Sequence, residues 1–364
     1  MKIRASLHRY QLHLNRPLLL AGQTLESREG LIVRLVDDDG HEGLGEIAPL
    51  PGFSREKLPD AESQARLVLD EINVRDWPDA IFDKWEESEL LARVDGLYHS
   101  VSCGISSALL GLMSSYRNIP LHKLIDPTAV DNIYINALLS GTDDEILDRA
   151  ARLKDLGFRA AKLKVGFRSV AEDVQLVRNV RQAFPPSATL RLDANRRCTI
   201  EQANEFLAQI KNIDIEYLEE SVNNLRRLPE LASISDVPIA LDESLPQYFA
   251  TGMQSRYLPK AIVVKPTLVG GWGRCLKFRD WARERKIKIV ISSSFESAVG
   301  LRVLAFLAAV VSGGTPCGLD TSSWFRTDLI EGGLPISMGS CELNALKFDW
   351  SSLETRQLTE VSLG

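Results

Sequence analysis

Hydrophobic and polar residues follow two different rhythms along the chain, and the change falls near residue 132. In the first part, polar and apolar residues alternate with a period of two, which predicts a small antiparallel sheet, and two further segments show helical spacing. The predicted elements are strands near 2–14, 28–36 and 41–46 and helices near 58–73 and 100–117. This pattern predicts an α+β unit.

After residue 132, short apolar strands alternate with amphipathic helices. The predicted strands are 133–139, 160–165, 189–193, 215–219, 238–242, 261–265, 288–292 and 317–320. Such a regular alternation is typical of a βα barrel. A doubly wound open sheet is the alternative, and the lack of a GxGxxG motif after the first strand disfavours it. The apolar run 298–311 is too short to span a bilayer and contains Arg302, so it predicts a buried helix.

A loop-rich tail follows the barrel region. Gly332, Gly333 and Pro335 exclude a long helix there, and we expect the tail to return and pack on the N-terminal sheet. The expected domains are an α+β capping domain (1–125), a barrel domain (126–325) and a C-terminal segment that packs back on the cap (326–364).

Composition narrows the class of protein. The net charge of −6 lacks the basic excess that nucleic acid or an anionic membrane surface requires, so we expect neither as a partner. The 5 cysteines are scattered and form no CxxC pair, which favours a reducing, cytoplasmic compartment. The first residues alternate like a strand and contain no apolar core of a signal peptide.

Three acidic residues each end a predicted strand. Asp193, Glu219 and Asp242 are spaced by about one βα unit, and the C-terminal ends of barrel strands converge on one mouth. Three carboxylates gathered there repel one another unless a cation neutralises them. Mg²⁺ suits such a site because it prefers oxygen ligands, and Mn²⁺ is a possible substitute. The alternative, that each acid caps the next helix, does not explain why all three are in phase.

Lysines share this phase. Lys162 and Lys164 lie two residues apart, which puts both on the same face of one strand. Lys265 ends the sixth strand, across the barrel. A neighbouring cation lowers the pKa of a lysine, which makes a usable base near neutral pH. The alternatives are surface lysines on an edge strand, or a lysine paired with a carboxylate.

Other motifs limit the chemistry further. Ser292, Ser293 and Ser294 follow the seventh strand, and we interpret them as a loop that binds carboxylate oxygens; a plain polar loop is the equal alternative. All 5 histidines precede the barrel, so no histidine base or ligand is available on its strands. The chain contains neither a GxSxG nucleophile motif nor a Walker-type phosphate loop.

Taken together, the strand-end motifs resemble the enolase superfamily, muconate-lactonizing subgroup. The motifs are KLK at 162–164, LDAN at 192–195, LEE at 218–220, DES at 242–244 and VKP at 264–266. The resemblance implies a TIM-like (β/α)7β barrel with an N-terminal α+β capping domain completed by the C-terminal tail. It also implies metal-assisted chemistry on an ene-diolate. Ser221 stands where proline is common in the family, which changes the strand exit but leaves Glu219 in place.

Within the subgroup, several segments are similar to the o-succinylbenzoate synthase family. They are GEIAPLPGFS at 45–54, LRLDANR at 190–196, VVKPTLVGG at 263–271, ISSSFES at 291–297 and GLDT at 318–321. The resemblance implies dehydration of 2-succinyl-6-hydroxy-2,4-cyclohexadiene-1-carboxylate, a step of menaquinone or phylloquinone biosynthesis. The expected partner is this small-molecule carboxylate, and the expected enzyme is a monomer or small homo-oligomer.

The same resemblance assigns roles to residues. Lys164 would remove the proton next to the carboxylate and return it to the departing hydroxyl, while Lys265 stabilises the anion and Lys162 tunes Lys164. Asn195 and Arg191 would support the substrate site. Phe53, on the loop 50–54, would supply apolar contact from the cap, and the segment near 18–25 would also cover the pocket.

Two other readings stay open. The same lysines would serve a racemase of N-succinylamino acids or another cycloisomerase or epimerase of the subgroup. Dipeptide epimerases usually carry a DxD motif after the eighth strand, and this chain has only Asp320 there. A non-catalytic barrel that binds a small acid is the rival from another class, and the complete set of acids and lysines argues against it.

Overall fold

The structure is a computed structural model that describes residues 1–20, 22–78, 82, 84–85, 88–94, 96–346 and 348–363. The strands are β1 (Ile3–Leu20), β2 (Gln23–Asp37), β3 (Glu42–Ile47), β4 (Asn132–Tyr134), β5 (Asn136–Leu139), β6 (Ala160–Lys164), β7 (Thr189–Asp193), β8 (Tyr217–Glu219), β9 (Ile239–Leu241), β10 (Ala261–Val264), β11 (Lys288–Ile291), β12 (Ser340–Glu342) and β13 (Leu358–Val361). The helices are α1 (Leu58–Val74), α2 (Glu89–Ala92), α3 (His99–Arg117), α4 (Leu121–Ile125), α5 (Asp143–Arg152), α6 (Val170–Ala183), α7 (Ile200–Ile210), α8 (Leu228–Ile234), α9 (Leu245–Ala250), α10 (Pro266–Val269), α11 (Gly271–Glu284) and α12 (Ala298–Val311).

An antiparallel sheet with the order β13-β1-β2-β3 forms the cap. Helix α3 packs so closely on this sheet that a Cβ atom on Gly45 would lie 1.9 Å from the carbonyl oxygen of Gly104. Only glycine permits that approach, which explains the GxG pattern of β3. Because β13 pairs with β1 and β12 pairs with β4, the tail contacts both parts of the molecule. The domain bounds 1–125, 126–325 and 326–364 stay a prediction.

The barrel consists of parallel strands in the order β11-β10-β9-β8-β7-β6-β5. Two isolated bridges, Ile135 with Cys317 and Ser292 with Gly318, close the ring between its two end strands. The eighth position of the barrel is therefore a short bridged segment within the predicted strand 317–320. This architecture confirms the predicted barrel with its cap. The predicted strand 133–139 is split, because its first half pairs with the tail.

Local sequence signals explain where the barrel helices start. Helices α5, α6 and α7 each begin with a capping box, in which Thr142, Ser169 and Thr199 accept the N3 amide while the N3 side chain binds back. Helix α12 is buried on all sides, as its apolar sequence predicts. Within the described residues, none of the helices has the combination of length and apolar character that would let it cross a membrane.

Candidate active site

A cavity opens at the C-terminal ends of the barrel strands, beneath the cap, and encloses about 690 Å³ including its mouth. Barrel strands supply its charged floor and the cap supplies apolar residues. Its lining residues are Leu20, Leu50, Phe53, Asn136, Leu138, Lys162, Lys164, Asp193, Asn195, Glu243, Lys265, Ser292, Ser293, Ser294, Phe295, Gly318, Asp320 and Thr321.

The three predicted acids lie at this mouth. Asp193 and Glu219 are the last residues of β7 and β8 and are neighbours across the two strands, while Asp242 directly follows β9. All three are buried, and Glu219 has no exposed surface. Burial raises the pKa of Glu219 well above its usual value, and the nearby carboxylates of Asp193 and Asp242 raise it further. Negative charge at this position therefore needs a positive partner.

Two lysines supply positive charge in the structure. Lys162 Nζ lies 3.0 Å from Asp193 Oδ2 and 3.0 Å from Glu219 Oε1, and Lys265 is hydrogen-bonded to Asp242. Burial lowers the pKa of Lys162, but the carboxylates outweigh burial and raise it well above its usual value. The pKa of Lys265 is also raised, because Asp242 outweighs burial. Both lysines are thus held in the charged form.

Lys164 differs from both. Burial lowers the pKa of Lys164, and the ammonium groups of Lys162 and Lys265 lower it further against the opposing effect of Asp193. No hydrogen bond or ion pair joins its ammonium group to another residue in the described part of the chain. A half-buried lysine with a lowered pKa, facing a cavity, is suited to take a proton from a substrate.

One oxygen of the three acids is suited to a divalent cation. Glu219 Oε2 is buried without a hydrogen-bond partner, as expected of an oxygen that would ligate a metal. Among the residues that the structure describes, no three His, Cys, Asp or Glu side chains stand together in a metal-binding geometry. Lys162 is paired with oxygens of Asp193 and Glu219, and Lys265 is paired with an oxygen of Asp242. The two lysines therefore fix the positions of the three carboxylates. The residue types and the orphaned oxygen fit a hard cation.

Glu220 fixes the loop that carries Asp242. Its Oε1 accepts hydrogen bonds from the Asp242 amide (2.7 Å), the Ser244 amide (3.1 Å) and the Ser244 hydroxyl (2.6 Å). Glu220 adopts a left-handed backbone with φ of 47°. Glu220, the second acid of the LEE motif, was not predicted to have a role.

The serine loop lies where it was predicted. Ser292, Ser293 and Ser294 all line the cavity, and the buried Ser294 hydroxyl has no hydrogen-bond partner among the described residues. Ser293 Oγ lies 2.9 Å from Thr321 Oγ1, and Ser292 Oγ donates to the carbonyl oxygen of Gly318 at 3.3 Å. The loop therefore presents one unpartnered hydroxyl to a ligand.

Cap residues form the opposite wall. Leu20, Leu50 and Phe53 line the cavity, as expected of the segment 18–25, in which Ala21 lies outside the described residues, and of the loop 50–54. That loop is a tight turn, because Phe53 and Ser54 both donate their amides to the carbonyl oxygen of Leu50. The wall is apolar, in contrast to the serine loop.

Asn195 and Arg191 were both predicted to support the substrate site, and of these two residues Asn195 reaches the cavity. Asn195 lines it, and its backbone N–H donates to Asp193 Oδ1 at 3.0 Å. Arg191 does not line it, and its predicted role in supporting the substrate site stays a prediction. Arg191 Nε donates to Glu216 Oε2 at 2.6 Å and Arg191 Nη1 to the Pro316 carbonyl oxygen at 2.8 Å, inside the barrel. Arg191 thus supports the barrel from below.

Asp320 was left without a role by the sequence, and the structure gives it one. Its Oδ2 accepts from Arg149 Nη2 at 2.5 Å and from the Leu138 amide at 2.9 Å. Burial raises the pKa of Asp320, and Arg149 counters that rise. Glu243 also lines the cavity, with a buried Oε2 that has no partner, and burial raises its pKa to about 8. No sequence motif indicated the contacts of Asp320 or the place of Glu243 in the cavity lining.

Two family models match the chain. The model described as Enolase C-terminal domain-like matches residues 145–346, and the model described as MenC, N-terminal domain matches residues 2–112. Together they cover the barrel and the cap.

Relatives and solved structures agree with these models. The chain is 35% identical to an o-succinylbenzoate synthase of Haemophilus influenzae, over 87% of this chain and 89% of that protein. It is 32% identical to the chloroplastic protein PHYLLO of Arabidopsis thaliana over 85% of this chain, and it spans about a fifth (20%) of that longer protein. A dipeptide epimerase from Enterococcus faecalis, solved with Mg and the dipeptide L-Leu-L-Tyr, has the same fold with a TM-score of 0.80, 23% identity and coverage of 94% and 97% of the two chains.

The barrel, its cap and the acids and lysines at its mouth define an enzyme of the enolase superfamily. The chain belongs to the o-succinylbenzoate synthase family, which makes it a lyase. The predicted family and activity are thereby confirmed.

Proposed function

We propose that Lys164 alone carries out the proton transfers by which the chain dehydrates 2-succinyl-6-hydroxy-2,4-cyclohexadiene-1-carboxylate to o-succinylbenzoate. Lys164 removes the proton next to the ring carboxylate, which leaves an ene-diolate. The protonated Lys164 then donates to the departing hydroxyl on the same face, and the ring becomes aromatic. The supporting observation is that Lys164 has no partner among the described residues, whereas Lys265 is bound to Asp242.

Asp193, Glu219 and Asp242 would hold a divalent cation, Mg²⁺ or its substitute Mn²⁺. When bound, this cation would supply positive charge next to the substrate carboxylate. The unpartnered Oε2 of Glu219 supports the assignment, as does the magnesium in the dipeptide epimerase that shares the fold. Lys162 keeps the remaining negative charge of Asp193 and Glu219 in balance.

Lys265 would stabilise the developing anion from the opposite side of the cavity, since its ammonium stays charged. Ser292, Ser293 and Ser294 would bind substrate oxygens, with Ser294 offering the free hydroxyl. Asn195 would orient Asp193, and Phe53 would contact the apolar part of the substrate. The resemblance further supports a place in menaquinone or phylloquinone biosynthesis, a cytoplasmic location and a monomer or small homo-oligomer.

A racemase of N-succinylamino acids is the second candidate, and one observation favours it. Lys164 and Lys265 both line the same cavity, which two-base racemisation requires. The two activities differ in what Lys265 must do, because racemisation needs it to exchange protons and dehydration does not.

A side-by-side rate measurement tests the proposal. The purified protein is given the cyclohexadiene carboxylate and a set of N-succinylamino acids, with Mg²⁺ present, in D₂O. We expect faster turnover of the cyclohexadiene carboxylate. Faster deuterium incorporation into the amino acids, in both configurations, would instead assign the racemase as the main activity.

A further inference from the structure

Arg28 connects the two walls of the cavity. It lies on β2, is only 2% exposed and donates to four backbone carbonyl oxygens. Arg28 Nε reaches Phe295 (3.2 Å), Nη1 reaches Pro49 (3.1 Å), and Nη2 reaches Ala48 (3.2 Å) and Ser294 (3.4 Å). The accepting residues form two pairs that lie more than 240 positions apart in the chain, so the guanidinium joins two distant segments.

Each pair of carbonyls belongs to a different wall. Ala48 and Pro49 lead directly into the tight turn 50–54, whose Leu50 and Phe53 line the cavity. Ser294 and Phe295 end the serine loop and also line the cavity. Because the turn 50–54 is closed by its own hydrogen bonds, its position depends on the segment by which it is attached.

The chemistry of the contact is specific for arginine. No carboxylate in the described part of the chain lies within ion-pair distance of Arg28, so carbonyl dipoles alone solvate this buried charge. A planar guanidinium presents several donors in fixed directions, whereas a lysine ammonium is a single point charge. Phe295 also adopts a left-handed backbone (φ 59°), a conformation that disfavours most residues and needs support from its surroundings.

A second buried residue holds the same loop at its other end. Glu46, on β3, accepts the amides of Ser297 (2.9 Å) and Gly300 (2.8 Å), where α12 begins. Two cap residues therefore bind the chain around the start of α12: Arg28 donates to backbone carbonyls of the segment before it, and Glu46 accepts from backbone amides at its beginning. Of these two residues, Arg28 also binds the carbonyls of Ala48 and Pro49, which lead into the turn 50–54, so Arg28 relates the two walls to each other.

We propose that Arg28 is a positioning residue that sets the separation of the apolar cap wall and the serine wall, and thereby the affinity for the substrate. Arg28 does not line the cavity and lies outside the group of acids and lysines. This inference rests on the proposed function for its kinetic readout, because that readout uses the dehydration reaction. Its loss should weaken substrate binding while Lys164 keeps its surroundings.

The variants are Arg28→Met, which removes all four hydrogen bonds, and Arg28→Lys, which keeps the charge but not the fork. Arg34→Met is the matched control, because Arg34 lies on the same strand but binds Glu42 (2.8 Å) in a half-buried ion pair away from the cavity lining. We expect Arg28→Met to raise KM about tenfold with kcat changed less than about threefold, and Arg28→Lys to fall between it and wild type. Arg34→Met should keep both constants.

Two results overturn the proposal: an unchanged KM in Arg28→Met, or a fall in kcat at constant KM. Hydrogen–deuterium exchange gives an independent measure that needs no turnover. Backbone amides of 50–54 and 292–297 should exchange faster together in Arg28→Met, and unaltered protection in either segment would also overturn it. If the wild-type protein does not dehydrate the substrate, the proposed function fails, and exchange alone decides the role of Arg28.

Discussion

Lys162 and Lys164 enter the same cavity from one strand, two residues apart, yet only Lys162 is bound to acids. Lys162 forms ion pairs with Asp193 and Glu219, each at 3.0 Å, while Lys164 stays unpaired among the described residues. The paired lysine has a raised pKa and the unpaired one a lowered pKa. Two lysines on the same face of one strand thus differ in behaviour: Lys162 remains a fixed cation, and Lys164 can lose its proton.

Lys164→Ala should reduce turnover of the cyclohexadiene carboxylate by about 10³-fold or more, since a positioned acid/base group contributes about 10² to 10⁴ in rate. The fold should persist, because the variant removes a charge that has no partner. Activity is followed by formation of o-succinylbenzoate, and folding by circular dichroism. Near-normal rates in a folded variant would remove Lys164 as the base. Lys154→Ala, a surface lysine on the turn after α5, is the matched control.

The pH profile should show an acid limb from Lys164. The base works only when neutral, and burial lowers its pKa, so kcat/KM should be full above that pKa and fall as pH drops through it. Lys162 also contributes to the lowering. Lys162→Met should therefore move the acid limb to higher pH. A profile that stays flat well below neutral pH would indicate a carboxylate base instead.

The charged residues at the strand ends were predictable from the sequence, because their positions follow from the local pattern of apolar and polar residues alone. Asp193, Glu219 and Lys164 each stand at the last position of a short apolar strand, and barrel geometry brings such positions together. Arg191 shows that the depth of a residue in the barrel matters as well as the face of the strand on which it lies. It lies on the same face as Asp193 but two residues earlier, roughly 6–7 Å deeper in the barrel, where it meets Glu216 rather than substrate.

Contacts between distant segments were not predictable. Arg28 binds Ser294 across 266 positions, and Arg149 binds Asp320 across 171. Both arginines stand in ordinary strand or helix patterns, and nothing in their neighbours reveals a partner. Such contacts depend on how distant segments meet in the folded chain, which a periodic pattern does not contain.

Removal of the metal should stop the reaction. EDTA should abolish activity, and Mg²⁺ or Mn²⁺ should restore it, because three buried carboxylates with one orphaned oxygen need a cation beside the substrate anion. Glu219→Gln should weaken Mn²⁺ binding measured by electron paramagnetic resonance. A chelator-resistant enzyme, or unchanged Mn²⁺ affinity in Glu219→Gln, would contradict the three-acid site.

Dipeptides should not be epimerised at a useful rate. The acid after the eighth barrel position, Asp320, accepts hydrogen bonds from Arg149 and the Leu138 amide through its Oδ2, so its negative charge is already paired with Arg149 and should attract a substrate amine only weakly. Incubation with L-Ala-L-Glu in D₂O and detection of the epimer by NMR checks this. Epimerisation as fast as dehydration would show that Asp320 exchanges partners.

Glu220→Ala should weaken metal binding although Glu220 is not a proposed ligand. Its Oε1 holds the amides of Asp242 and Ser244, and truncation would leave both donors buried and unpaired. Loss of a group that orients a ligand costs about 10- to 100-fold in metal affinity. Glu220→Gln keeps an acceptor oxygen and should recover most of that loss, whereas Glu230→Ala, which removes only a surface pair with Arg227, should match wild type. Mn²⁺ titration of the three variants decides the point, since wild-type affinity in a folded Glu220→Ala would mean that Asp242 holds its position without Glu220.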